Sequence, residues 1–283
     1  MGTLAQTYEN YTAEDQEVWN ILFKRQMETL PEAATQEFLL GLERINFTAD
    51  QIPNFKETNP LLNQATGWGL TVVPGLVNDD TFFTQLSNKL FPATTWLRKM
   101  EEIDYLEEPD MFHDVFAHVP LLTNQAYVSF LEELSHLALE HINNPWAIEL
   151  LSRIYWFTIE FGLISEQDKL RIYGAGILSS HGETEYSLSN KPEHHAYNVG
   201  HILDSPYRKD TFQTQYFIID SYEQLYASIG EVEVELNKRL KDTYNADLII
   251  QESSLGISGA SKSKKAKRKR QRHRKHHHHH QRS

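Results

Sequence analysis

Cysteine is absent from the 283-residue chain. That excludes a disulfide framework, a thiolate metal site and a cysteine nucleophile. No apolar run approaches the ~18 residues of a membrane-spanning helix, and the first ten residues lack the basic start and apolar stretch of a secretory signal. Positive charge is scarce over most of the chain. Residues 261–283 hold 11 of the 27 Lys+Arg and no acid, so residues 1–260 carry 16 bases against 39 acids, a net of −23 hidden inside the overall −12. An acidic body repels phosphate backbones and argues against a nucleic-acid-binding fold, which leaves the basic tail as the only candidate for that role. The expectation is a soluble, cytoplasmic protein with no membrane partner, long enough to bury a sizeable core in one domain.

Helical signals dominate what is present. Thr12 with Asp15 forms a capping-box pattern leading into Val18, Trp19 and Leu22, and Pro31 stands at a first helical turn ahead of Phe38, Leu39, Leu42 and Ile45. Residues 61–77 carry Gly67, Gly69, Pro74 and Gly75 among β-branched residues and read as loops with a short strand. A helix fits residues 80–91, another fits 124–141, and Asn144-Pro145 caps one that runs to Gly162. Pro109 opens a short helix that must stop before Pro120. Strand-like pieces follow at residues 171–173 and 214–219, and Ser221 with Gln224 caps a last helix through Ile229. With no internal repeat and no linker, residues 1–252 are expected to form one domain: a helical N-terminal part over 1–60 and a core over about 65–229. Residues 253–283 lose apolar content and become Lys/Arg/His low complexity, a disordered appendage by composition.

Two features carry chemistry. His113 and His118 lie five apart, and an ideal α-helix sets such residues about 140° apart, so they converge only where the helix is distorted, as Pro120 would force. The spacing does not match the His-Glu-x-x-His pattern of zinc proteases. Glu160 sits in a stretch, residues 154–164, that is apolar on nearly every helical face. A buried carboxylate is protonated, paired with a cation or bound to a metal. Two histidines and such a glutamate match the facial triad of non-haem Fe(II) oxygenases. A buried ion pair of Glu160 with Arg153 or Arg171 is the structural alternative.

Four ordered blocks, residues 104–110, 113–120, 155–162 and 173–183, resemble the aromatic amino acid hydroxylases, and among them the short bacterial phenylalanine 4-hydroxylases. The likeness spans roughly residues 65–229. It implies a mainly α (α+β) fold, a basket of helices with a few short strands around a buried iron. It further implies Fe(II) held by His113, His118 and Glu160. By the same resemblance Arg98 binds the substrate carboxylate, Gly176, Ser179 and Ser180 line the substrate pocket, and Trp156 and Phe161 shape the space for the ring. A tetrahydropterin such as tetrahydrobiopterin would lie against Phe82 and the backbone of Gly75, Leu76 and Val77, with Asp114 nearby and Tyr155 between pterin and iron. Core packing is the alternative for Trp156, Phe161 and Phe82.

The implied reaction is O2-dependent hydroxylation of L-phenylalanine to L-tyrosine, with the same chemistry on tryptophan or tyrosine, or a weakly active binding or sensor protein, as rivals. The chain departs from the family at Asn78-Asp79-Asp80, at Asp114 where Glu is usual, at Ala117 where Gly is usual and at Leu106 where animal members have Thr. The stretch before Ala65 is too short for the animal regulatory domain, and residues 247–260 lack a tetramerising heptad. A monomer is therefore expected. The tail, including its run of five histidines at residues 276–280, is assigned no role, with nucleic acid, an anionic surface or the acidic body itself as open partners.

Overall fold

The computed structural model describes residues 4–242. The expected disorder of residues 253–283 and the expected lack of a heptad helix over 247–260 lie outside them. Among the described residues no helix is long and apolar enough to cross a membrane.

The chain begins with α1 (Ala13–Met27), α2 (Leu30–Ala33), α3 (Gln36–Arg44) and α4 (Phe55–Thr66). The capping box at Thr12 and Asp15 forms as expected. The helix expected from Pro31 to Ile45 is instead broken. Ala34 turns extended and bridges Ile172, and the Thr35 N–H donates to the Ile172 carbonyl at 2.8 Å, so a tertiary contact overrides the helical pattern. The region read as loops from residue 61 begins as the end of α4, which carries Pro60 within it and stops at Gly67 in the left-handed conformation, φ 82°.

Next come β1 (Gly69–Val72), α5 (Asp79–Ser87) and β2 (Leu90–Ala93). β1 and β2 pair in parallel. The helix expected through residue 91 therefore ends at Ser87, and Lys89, at φ 63°, turns the chain into β2.

Residues Phe112–His118 wind as a π-helix and pass directly into a 3-10 turn, Val119–Thr123, with Pro120 in its first turn. The helix does not stop before Pro120; it changes winding, which Pro tolerates at a helix start. Then follow α6 (Gln125–Glu140), capped by Asn124, and α7 (Pro145–Tyr155), capped by Asn144. α7 runs on into a second π-helical segment, Trp156–Glu160, closed by the Phe161 N–H donating to the Trp156 carbonyl at 2.9 Å.

The last part contains β3 (Leu163–Glu166), β4 (Lys169–Ile172), α8 (Ala175–Leu178), α9 (His181–Leu188), β5 (Glu193–Ala196), α10 (Val199–Leu203), β6 (Gln215–Ile219), α11 (Tyr222–Ala227) and α12 (Ile229–Leu240). Four strands form a sheet in the order β4-β3-β6-β5. β3 and β4 are a hairpin whose two turn residues, Gln167 and Asp168, both have positive φ, the backbone of a tight hairpin turn. Ser221 caps α11, but the Gln224 side chain accepts from Asp220 rather than from the cap residue.

An aromatic stack braces the first π segment from behind. Phe112 and Phe116 lie parallel at 4.6 Å, and Trp19, Phe23 and Phe38 from α1 and α3 meet them edge-on. Burial of each such ring contributes roughly 1.5–3 kcal/mol. α3 approaches so closely at Gly41 that an added Cβ would stand 2.2 Å from the Pro120 carbonyl oxygen.

Candidate metal centre and adjoining cleft

The π winding answers the spacing problem posed by the two histidines. Its hydrogen bonds close at i→i+5, so residues five apart stand one above the other. His113 and His118 consequently bring their Nε2 atoms to 3.2 Å, and the second π segment delivers Glu160 opposite them. Glu160 Oε2 lies 3.2 Å from His118 Nε2 and Oε1 3.3 Å from His113 Nε2. Among the described residues these are the only three side chains whose metal-ligating atoms cluster this way, and all three are buried.

The donor set fits a divalent cation. Glu160 Oε1 is buried without a hydrogen bond of acceptable geometry, an orphaned anionic oxygen that a metal would satisfy. Burial pushes the Glu160 carboxyl up, but the two imidazoles outweigh that and hold it well below the usual carboxylate range. The ion pair with Arg153 is not formed: Arg153 Nε bonds Glu149 and its Nη1 the Leu203 carbonyl. The hydroxyl of Ser179 donates to the Ala175 carbonyl at 2.9 Å and so accepts from His113 Nδ1–H at 2.8 Å. In the neutral ring that places the proton on Nδ1 and leaves the Nε2 lone pair for a metal.

An open cleft of about 490 Å³ reaches the triad. Gly75, Leu76, Val77, Phe82, Asp114 and Tyr155, the expected pterin positions, all line it together with the three candidate ligands. Phe82 meets Tyr155 edge-on at 5.5 Å. Asp114 Oδ2 accepts from both the backbone N–H and the hydroxyl of Thr94, at 2.9 and 2.8 Å. Burial dominates its environment and raises its pKa, against the opposing pull of His113, Thr94 and His118. Phe91, Pro92 and Thr94 also line the cleft and were not anticipated, because their stretch read as a helix end.

The residues expected around the amino-acid substrate are buried and do not line this cleft. Arg98 forms a two-point pair with Asp110, Nε to Oδ2 and Nη2 to Oδ1, both at 3.0 Å. Burial would raise the Asp110 pKa; the guanidinium outweighs it and lowers it. Asp110 also accepts from the His113 backbone N–H, tying the arginine to the first ligand. Trp156 packs at 4.6 Å on Phe161 and stacks at 4.4 Å on Tyr207. Gly176 lies under Phe161, where an added Cβ would meet Cζ at 2.5 Å. Ser180 caps α9, accepting from the Glu183 N–H. Ala117 is wholly buried in the π segment.

The family model for the biopterin-dependent aromatic amino acid hydroxylases matches residues 5–266, so the likeness takes in the N-terminal helices as well as the expected core. Phenylalanine-4-hydroxylase of Chromobacterium violaceum is 46% identical over 225 residues, covering 79% of this chain and 75% of that protein. The enzyme of the same name from Pseudomonas aeruginosa is 41% identical, covering 77% and 82%. The crystal structure of the Chromobacterium violaceum enzyme with bound oxidised Fe(III) superposes with a TM-score of 0.81 at 45% identity, covering 85% of this chain and 88% of that one. A cobalt-bound structure of the same enzyme gives 0.82 at 44% identity, covering 85% and 87%. Sequence, fold and the buried His-His-Glu cluster agree, and the chain belongs to the biopterin-dependent aromatic amino acid hydroxylases.

Proposed function

We propose that the protein hydroxylates L-phenylalanine: L-phenylalanine, a tetrahydropterin and O2 give L-tyrosine and a 4a-hydroxypterin, one oxygen atom going to each organic product. The observation that carries this reading is the orphaned carboxylate oxygen of Glu160, set between two imidazoles beside an open cleft that the expected pterin positions line. His113, His118 and Glu160 would hold Fe(II), which supplies, with the pterin, the reductive activation of O2. Ser179 holds His113 in the ligating tautomer, and Glu160 supplies the negative charge that favours a dication over a proton. Phe82 offers a stacking face for the pterin, and the backbone of Gly75, Leu76 and Val77 offers amides for its edge. Asp114, held by Thr94, presents its other carboxyl oxygen within the cleft. Arg98 is held by Asp110 through Nε and Nη2 and donates from Nη1 to the Ile103 carbonyl at 3.4 Å, and its remaining N–H groups would take the substrate carboxylate. Trp156 and Phe161 wall the ring, and the whole of residues 1–252 serves as one catalytic domain.

The phenylalanine preference is supported by the names and identities of the bacterial relatives. Incubation with the three aromatic amino acids, iron and pterin tests it. Glu160→Ala is expected to abolish both stoichiometric iron binding and tyrosine formation. Normal pterin-dependent tyrosine formation in that variant would overturn the assignment.

A further inference from the structure

The segment between α10 and β6, residues 204–214, makes contacts that the reaction above does not use. Gln213 is buried, and both its backbone and side-chain polar groups are engaged. Its Oε1 accepts from the Trp156 indole N–H at 3.0 Å, and its Nε2 donates to the Arg208 carbonyl at 2.9 Å and more weakly to the Thr211 carbonyl at 3.5 Å. Its backbone N–H points at Glu183 Oε2, and its carbonyl accepts from the Tyr186 hydroxyl at 2.8 Å. The amide orientation follows from chemistry, since an indole N–H only donates and a carbonyl only accepts. One residue thus ties the loop and α9, through its backbone, to the residue that opens the π segment bearing Glu160, through its side chain.

The walls around that indole differ in compliance. Phe161 rests on Gly176 with no room for even a methyl between them, so it cannot retreat. Tyr207 stacks on the indole with an interplanar angle of 14°, which restricts tilt but leaves the ring free to slide in its own plane. The hydrogen bond at Nε1 removes that sliding freedom.

We propose that Gln213 is a positioning residue that fixes the plane and depth of the Trp156 indole, and thereby sets which aromatic amino acid the ring pocket accepts. This rests on the reading of Trp156 and Phe161 as walls of that pocket. Replacing Gln213 by Leu leaves the indole N–H and the Arg208 carbonyl without these partners, and the loop and the indole both loosen. Gln213→Glu keeps an acceptor for the indole but sets a carboxylate against two carbonyl oxygens, so it loosens the loop more than the ring.

The test uses the full chain loaded with iron. With Gln213→Leu, KM for L-phenylalanine should rise about tenfold, the size expected for one lost buried partner, while KM for tetrahydropterin and iron stoichiometry stay within about twofold. The kcat/KM ratio of L-tryptophan to L-phenylalanine should rise as the pocket widens. Trp156→Phe keeps a ring and removes the N–H, and in that background Gln213→Leu should leave the ratio unchanged. Gln213→Glu serves in its place if the leucine variant does not fold, and should give a smaller shift in the ratio. Separately, in protein labelled with 15N at its indoles, the Trp156 Nε1–H should be protected from exchange, and Gln213→Leu should remove that protection. Equal rises in both KM values, additive effects in the double variant, or an unprotected Trp156 indole would overturn the proposal. Absence of turnover by the unaltered protein with all three amino acids would instead overturn the functional reading, and the indole exchange would still decide whether Gln213 holds Trp156.

Discussion

Gly41→Ala separates tertiary fit from helix propensity, because the two predict opposite signs. Gly41 lies inside α3, where alanine is favoured over glycine by about 1 kcal/mol, so propensity alone predicts a more stable protein. The added Cβ, however, would stand 2.2 Å from the Pro120 oxygen, 2.7 Å from its carbonyl carbon and 3.0 Å from its Cα, where ordinary contact begins at 3.4 Å. All three atoms are backbone, so no side chain can swing aside, and α3 and the turn after His118 must part by roughly 1 Å. Overpacking of this kind costs about 3 kcal/mol, leaving a net loss of about 2 kcal/mol. At about 2–4 °C per kcal/mol for a domain of this size, the melting temperature should fall by about 4–8 °C. Thermal unfolding followed by circular dichroism, in the presence of chelator so that metal binding does not contribute, measures this directly. Because the displaced turn follows His118 without a break, iron affinity should fall as well. An unchanged or raised melting temperature would refute the reasoning and show that helix propensity wins at this contact.

Three further outcomes are expected. Ser179→Ala frees the His113 ring to change tautomer and should weaken iron binding about 10- to 100-fold by metal titration, with the fold retained by circular dichroism; unchanged affinity would show that Ser179 does not set the tautomer. Asp110→Asn strands the buried Arg98 charge and should cost about 3–5 kcal/mol of stability near neutral pH. Since the folded Asp110 pKa is lowered, its contribution is present above the unfolded value of about 3.9 and fades as pH falls through the folded value; the gap between the two proteins in urea denaturation should therefore shrink on acidification, and a gap that widened would contradict the pairing. Light scattering should report a monomer, because the large apolar side chains exposed among the described residues, Leu4, Leu90, Tyr226 and Val234, are scattered along the chain rather than gathered in one segment; a stable tetramer would contradict this.

Features written in local chemistry were legible in the sequence. The caps at Thr12, Asn124, Asn144 and Ser221 mark helix starts because the signal is one side chain and the backbone beside it. The candidate ligands were legible through the family resemblance: a carboxylate in an apolar run demands a partner, but the residues alone left an arginine and the two histidines both open. What was hidden depends on distant residues. α4 was missed because Gly67, Gly69, Pro74 and Gly75 gave the whole stretch from residue 61 a loop character, although Gly67 only ends the helix. The break at Ala34 has no local cause, being set by Ile172 far along the chain. β2 was absorbed into a helix because Leu90 and Phe91 continue the apolar period of α5, and only pairing with β1 decides otherwise. The partners of Arg98, His113 and Trp156 were invisible for the same reason: Asp110, Ser179 and Gln213 become partners only once the chain has folded.

The π winding of residues 112–118 makes the site depend on how the backbone winds more than on composition. Regular α-helix is the cheaper backbone, and the wider turn is kept in a segment that carries the stacked Phe112 and Phe116 on its inner side. Many substitutions between the two histidines would leave five residues of spacing and one face. Relaxing the same residues into an ordinary α-helix would turn His118 to about 140° from His113, whereas removing one residue between them would leave the pair four apart and still on one face. A search for His pairs at α-helical spacing would pass over this site, because its two rings share a face only in the π winding.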